Sequence, residues 1–250
     1  MRSNVDPPGP GAEAGPVWTR GRTRHRRQLC RADIVRAAME IGDAEGLAAV
    51  SIRRIATHLG ARTMSLYSHI DKKEDLLELM VDELIGEVLV PPGELPPHWR
   101  EAISLIARRS RAMMRRHPWA VKLVNQYTTI GPNRLRHLEQ SLEALDELGL
   151  PPEKAVQIVH HIDSYMIGCT LREIVDDEMF RRYGVTHADA KSAAMPYLRQ
   201  LVAEGDFPRL APLVEATTQP ADPEQRFERG LSWLLDGIAR TFAPGETPSA

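Results

Sequence analysis

At 250 residues, 42% hydrophobic and 26% charged, the chain is long enough for two compact units with a sizeable core. No apolar run reaches membrane-spanning length, no apolar signal segment follows the N-terminal Arg and Pro residues, and Cys30 and Cys169 lie too far apart to suggest a disulfide framework or zinc site; a cytoplasmic, non-membrane protein is expected. The net charge of −2 hides an asymmetry: through Lys73 there are 13 Lys and Arg against 7 Asp and Glu, and beyond it 19 against 27. A basic N-terminal end attracts phosphate, whereas an acidic remainder limits non-specific binding.

Residues 1–28 are rich in Pro, Gly and Arg without an apolar period, and they read as a disordered basic arm. Its Arg20, Arg22, Arg24, Arg26 and Arg27 suit either a solubilising tail or an arm that follows phosphates or enters a minor groove. A first helix is predicted over Arg31–Glu45, with Ile34, Ala37, Ala38 and Ile41 as its buried stripe and Gly46 as an αL cap. Cys30 stands where a Ser or Thr cap is usual, and a thiol caps poorly, so this helix start is expected to fray or shift. Ser51 is the predicted cap of a second helix that buries Ile52, Ile55, Ala56 and Leu59 and ends at Gly60. A short third helix, Arg62–Ile70, buries Leu66 and Ile70. Asp71 and Glu74 have the form of a capping box opening a fourth helix, which carries Leu76, Leu77, Met80, Val81, Leu84 and Ile85 and stops before Pro91.

Further helices are predicted over Trp99–Arg116, Trp119–Tyr127, Pro132–Leu148, Pro152–Arg182, Ser192–Glu204 (with Pro196 as a possible true start) and Pro223–Phe242. The last puts Phe227, Leu231, Leu234, Ile238 and Phe242 on one stripe. No segment alternates with period two, so the fold class is all-α. The division expected is an arm (1–28), a three-helix DNA-binding domain (29–75) and a helical effector-binding and dimerisation domain (76–245).

Residues 51–70 form a helix, a Gly-containing turn and a second short helix, the helix-turn-helix pattern whose second helix enters the DNA major groove. With Leu66 and Ile70 turned inward, Thr63, Met64, Ser65, Tyr67, Ser68 and His69 are left for the groove or its walls. Met64 suits a thymine methyl. Arg53 is placed for phosphate or a guanine edge, Arg62 for phosphate or solvent, and Ser51 can cap its helix, donate to phosphate, or both.

The run Leu59–Leu77, with Gly60, Leu66-Tyr67, His69 and the opening of the fourth helix in order, resembles the DNA-binding domain of the tetracycline-repressor (TetR) family, as does Ile34–Leu47 upstream. The segments His117-Pro-Trp, Gly131-Pro-Asn, Leu148-Gly-Leu-Pro, Tyr165–Cys169 and Phe227–Leu231 resemble landmarks of that family's C-terminal domain. The resemblance implies a homodimeric transcription regulator, usually a repressor, released from a palindromic double-stranded DNA operator by a small molecule. It implies base contacts from Thr63, Ser65 and Ser68 and phosphate contacts from Tyr67, His69 and Lys73, with a packing aromatic as the lesser alternative for Tyr67. It places an effector cavity among the helices from Trp99 to Arg182, with Met113, Trp119, Leu123, Tyr127, His161, Tyr165, Cys169 and Arg172 as lining candidates that also suit plain core. The helices Pro152–Arg182 and Pro223–Phe242 are then the dimer surface, unless their stripes serve only the monomer core.

Members that hold their drug as a magnesium chelate use a His and a carboxylate. Val124 and Arg172 stand near those positions, so no metal and no cofactor are expected; Arg172 suits a ligand oxyanion or an ion pair with Asp176. Two other classes compete. A metal-dependent helical enzyme would use His160, His161 and Asp163, although adjacent residues on a helix point about 100° apart. A constitutive DNA-binding protein would need no cavity, which leaves the large acidic helical region unexplained.

Overall fold

The computed structural model describes residues 29–126, 130–205, 207–216 and 222–242; the expected arm over 1–28 and Tyr127 lie outside them. The described chain contains eleven α-helices, two short 3-10 turns and no strand. Helix α1 (Arg31–Glu45) buries Ile34, Ala37, Ala38 and Ile41 as its period requires. It starts at Arg31 despite the weak thiol cap, because Asp33 reaches back from the first turn: its carboxylate accepts from the Cys30 N–H at 3.4 Å and from Sγ at 3.1 Å. Gly46 ends the helix with φ 82° and ψ 163°, an extended glycine conformation rather than the expected αL cap, since the chain must enter the 3-10 turn Leu47–Ala49.

Helix α2 (Ile52–His58) is capped by Ser51, whose hydroxyl accepts from the Arg54 N–H at 3.2 Å. Ser51→Ala is expected to lower stability by about 1 kcal/mol in denaturant unfolding; an unchanged midpoint would contradict the cap. Helix α3 (Thr63–Tyr67) follows the turn at Gly60, φ 60°. Helix α4 (Lys73–Val88) starts one residue later than an Asp71 cap would place it, with Lys72 at the cap position and no side-chain cap. The expected box does not form because Ile70 is held in the core, its N–H on the Leu66 carbonyl at 3.1 Å, and residues 71–72 must turn the chain. Glu74 and Asp75 still lie in the first turn, where the helix dipole favours negative charge.

Helices α5 (Trp99–Arg116) and α6 (Ala120–Gln126) match their apolar patterns. Helix α7 (Pro132–Glu143) ends earlier than expected and passes into the 3-10 turn Asp146–Leu148 before Gly149 in αL; Glu147 in that turn accepts the Trp99 N–H at 2.8 Å and so caps α5. Helix α8 (Pro152–Tyr183) is followed by α9 (His187–Ala203). Pro196 lies inside α9 rather than at its start, because Thr186 and Asp189 close a capping box that opens the helix at His187, nine residues earlier (Asp189 N to Thr186 Oγ1, 3.0 Å; Thr186 N to Asp189 Oδ2, 2.9 Å). The Thr186 hydroxyl and N–H hold the Asp189 carboxyl below its ordinary range. Helix α10 (Ala211–Glu215) was not predicted, and α11 (Pro223–Phe242) has the predicted bounds.

Helix α4 is the hub: it packs on α1, α5, α6 and α7, while α8 packs on α5, α7 and α11. Phe227, Leu231, Leu235 and Ile238 of α11 are buried, so most of its main stripe serves the monomer core. Among the apolar residues left exposed are Trp233 on α11 and Leu171, Val175, Met179 and Phe180 on α8.

Candidate DNA-binding face and effector cavity

Helices α2 and α3 pack together with Ile55, Ala56, Leu66 and Ile70 turned inward. This leaves Arg53, Arg62, Thr63, Met64, Ser65, Tyr67, Ser68 and Lys73 exposed, with Ser51 and His69 partly buried. Met64 is 77% exposed, a large apolar side chain held in water by a rigid element. Ser65 and Ser68 donate back to the Arg62 and Ser65 carbonyls at 2.6 and 2.8 Å, which orients both hydroxyls and leaves their lone pairs outward. Arg53, Arg62 and Lys73 make no ion pair among the described residues, whereas Arg54 is held in a fork by Glu45 at 2.5–3.3 Å. That fork keeps the Glu45 carboxyl below its usual range. Arg31 Nε donates to the His69 carbonyl at 3.3 Å and ties the start of α1 to the end of the recognition helix.

A polar seam joins this domain to the rest. Asp43 on α1 accepts from Trp119 Nε1 at 2.6 Å and pairs with His117 Nδ1 at 2.6 Å; both partners lie in the His117-Pro-Trp turn between α5 and α6. Nε2 of the buried His117 faces Glu87 of α4 at 3.3 Å, and Arg116 pairs with Glu87 at 2.6 Å. The end of α4 is held by Arg109, which donates to the carbonyls of Glu87, Val88 and Leu89 at 2.8–3.2 Å. Asp82 of α4 accepts the Asn133 and Arg134 N–H groups, each at 3.0 Å, and so caps α7 from across the contact. Arg109 and Asp82 were not singled out from the sequence; no local spacing signals a cap supplied by another helix.

A cavity of about 400 Å³ lies among α4, α5, α6, α7 and α8. Its apolar wall comes from Val81, Ile85 and Val88 on α4, Met113 and Met114 on α5, Val124 on α6, and Met166 and Ile167 on α8. Its polar wall is Arg134 and His137 of α7, His160, Asp163 and Ser164 of α8, and Ser110 of α5. Burial pushes the His137 imidazole below its ordinary pKa and the Asp163 carboxyl above its own; each opposes part of the other's shift.

Of the eight lining candidates, Met113 is on this wall. Leu123 is fully in the core, and Trp119 is spent on the seam. Tyr165 turns toward α11 and donates to the Phe227 carbonyl at 2.7 Å; Cys169, on the same side, is partly buried off the cavity. His161 is exposed, with Nδ1 on the Gln157 carbonyl at 2.6 Å, and Arg172 is exposed too. Asp176 faces His187 at 3.6 Å rather than Arg172. His160 and Asp163, three apart on α8, share the cavity face that His161, one residue on, cannot reach. The described residues include no group of three or more His, Cys, Asp or Glu placed to hold a metal ion, and no helix long and apolar enough to cross a membrane.

Comparison with known proteins bears on both halves. The family model for bacterial regulatory proteins of the tetR family matches residues 34–80, and that for the tetracyclin repressor-like C-terminal domain matches 92–242. The HTH-type transcriptional repressor DrrR1 of Streptomyces coeruleorubidus is 34% identical over 237 residues, 94% of this chain and 87% of the relative. An HTH-type transcriptional regulator of Saccharopolyspora erythraea is 33% identical, over 91% of this chain and 92% of its own length. Apo ActR from Streptomyces coelicolor superposes with a TM-score of 0.73 at 29% identity, covering 88% of this chain and 99% of ActR; its complex with actinorhodin gives 0.72 at 30% identity, covering 87% and 99%. A DNA-reading helix pair welded through α1 and α4 to a hollow helical domain, with both family models matched, makes this chain a member of the TetR family of transcriptional regulators: a DNA-binding, effector-responsive protein and not an enzyme.

Proposed function

We propose that the protein is a cytoplasmic homodimeric repressor that holds a near-palindromic operator through two copies of α3 and releases it when a small molecule fills the cavity. The observation that carries this reading is the outward row Thr63, Met64, Ser65, Tyr67 and Ser68 on a helix anchored by the buried Leu66 and Ile70. Thr63, Ser65 and Ser68 read base edges, Met64 meets a thymine methyl, and Arg53, Arg62, Tyr67, His69 and Lys73 contact the backbone, with Ser51 capping α2 beside it. Residues 29–75 act as the reading domain, and α4 links it to the effector domain. The exposed Trp233 of α11 and Val175 and Met179 of α8 support dimerisation through these two helices. The ActR structures with actinorhodin and (S)-DNPA support an organic effector for the cavity. Because α4 forms one cavity wall and is tied to α1, a ligand that fits only the displaced position of α4 shifts the dimer away from the DNA-competent spacing.

Selection of random duplexes by the purified protein, followed by sequencing, tests the reading. Enrichment of one inverted repeat is expected; no enrichment down to low salt would refute it. With that operator in hand, Lys73→Ala is expected to weaken binding to all sequences alike and reduce the salt slope by about one. Ser65→Ala is expected instead to relax preference at one position of each half-site. The opposite pattern would reverse the roles given to these residues.

A further inference from the structure

The cavity is two-sided. Its α4, α5 and α6 walls are apolar apart from Ser110, and its charged and titratable groups (Arg134, His137, His160 and Asp163) all come from α7 and α8. His137 follows Arg134 by one helical turn, as Asp163 follows His160, so each pair projects from one helix face. The Arg134 guanidinium makes no ion pair among the described residues. Asp82, the carboxylate that meets this residue, is used by the backbone N–H groups of Asn133 and Arg134. Asp163 acts on Arg134 through the field but forms no ion pair with it. Burial pushes both the His137 imidazole and the Asp163 carboxyl toward their neutral forms, against their mutual attraction, whereas the guanidinium keeps its charge throughout. A half-buried, always-charged fork beside an apolar hollow has no ion-pair partner among the described residues, and bidentate oxyanions match its geometry. An ammonium group would add a second positive charge beside the guanidinium.

The geometry points to an organic acid as the effector: a flat or compact apolar body against α4, α5 and α6, and a carboxylate or comparable oxyanion on Arg134. This inference rests on the effector-cavity reading above and names the ligand's chemistry.

Calorimetry on the full chain at neutral pH with three probes of one ring body tests it: anthraquinone-2-carboxylate, the corresponding carboxamide and 2-(aminomethyl)anthraquinone. The carboxylate is expected to bind about tenfold or more tightly than the amide, the scale of one charge-assisted hydrogen bond, with the amine weakest. Arg134→Gln should erase the carboxylate's advantage while leaving amide affinity in place, and Arg134→Lys should restore part of it. Asp163→Asn should not weaken the carboxylate. An amine that binds tightest and is lost in Asp163→Asn would overturn the assignment. So would a ranking unchanged by Arg134→Gln, or no binding of any probe. Operator binding by the same preparations is measured alongside. If operator binding fails, the regulator reading falls whatever the acids do. If it holds and the amine wins, only the acid assignment falls.

Discussion

Arg111→Met is expected to lower unfolding free energy by about 3–5 kcal/mol, the cost of stranding one member of a buried ion pair. Arg111 and Glu173 are 6% and 4% exposed, and their two hydrogen bonds of 3.2 Å join α5 to α8. The same guanidinium lies 4.5 Å from the centre of the Phe227 ring and reaches Glu224 at 2.6 Å, so it also holds α11. Without it, Glu173 keeps only Arg115, at 3.9 Å and half exposed, as a distant counter-ion. The double variant Arg111→Met with Glu173→Leu is expected to regain most of the loss, because no buried charge is left unpaired. Urea unfolding of the two single variants, the double variant and the parent closes a double-mutant cycle. A loss below 1 kcal/mol in Arg111→Met would show that the pair does not bear on stability.

Trp119→Ala is expected to cost a similar ~3–5 kcal/mol, the range for removing a large buried aromatic. Together with His117, this ring joins α1 to the turn before α6. A Cβ added at Gly42 would lie 2.9 Å from its Cε2 atom, so the helix passes the indole only because residue 42 has no side chain. Trp119→Phe keeps the ring and deletes the N–H that Asp43 accepts at 2.6 Å; the expected loss is about 1–2 kcal/mol. Gly42→Leu is expected to push the ring out and loosen the seam, at a cost of about 1–3 kcal/mol. Hydrogen exchange should then quicken in α1 and α6 while the core of α8 stays protected. Since Trp119 does not line the cavity, Trp119→Phe should leave probe affinity within about twofold. A large loss of ligand binding with unchanged stability would return this residue to the effector site.

The DNA-reading half was legible because its information is local. Ile34, Ala37, Ala38 and Ile41, or Ile55, Leu66 and Ile70, declare a buried face by spacing alone, and the outward residues of α3 are what remains. Caps made by a residue's own neighbours were legible for the same reason, as at Ser51. They failed where another requirement intervened: Ile70 fixed the chain path and displaced the cap expected at Asp71. At α9 a Thr186–Asp189 box outranked the proline taken as a possible start.

The cavity was not legible in this way. Long helix α8 is apolar on several faces, and periodicity does not say which face meets a hollow and which meets α11. His160 lines the cavity while His161 turns to solvent, and Tyr165 faces Phe227 while Asp163, two residues earlier, faces His137. A step of one residue turns a side chain by about 100°, so errors this small exchange wall for core. The sequence alone determined the helices, their inward stripes and the helix-turn-helix, because turns and periods act over a few residues. The tertiary structure decided which polar groups share the cavity, which aromatic ring joins the domains and which helix ends are capped from across a contact, because those depend on residues far apart in the chain, 48 to 76 positions for these hydrogen bonds, meeting in space.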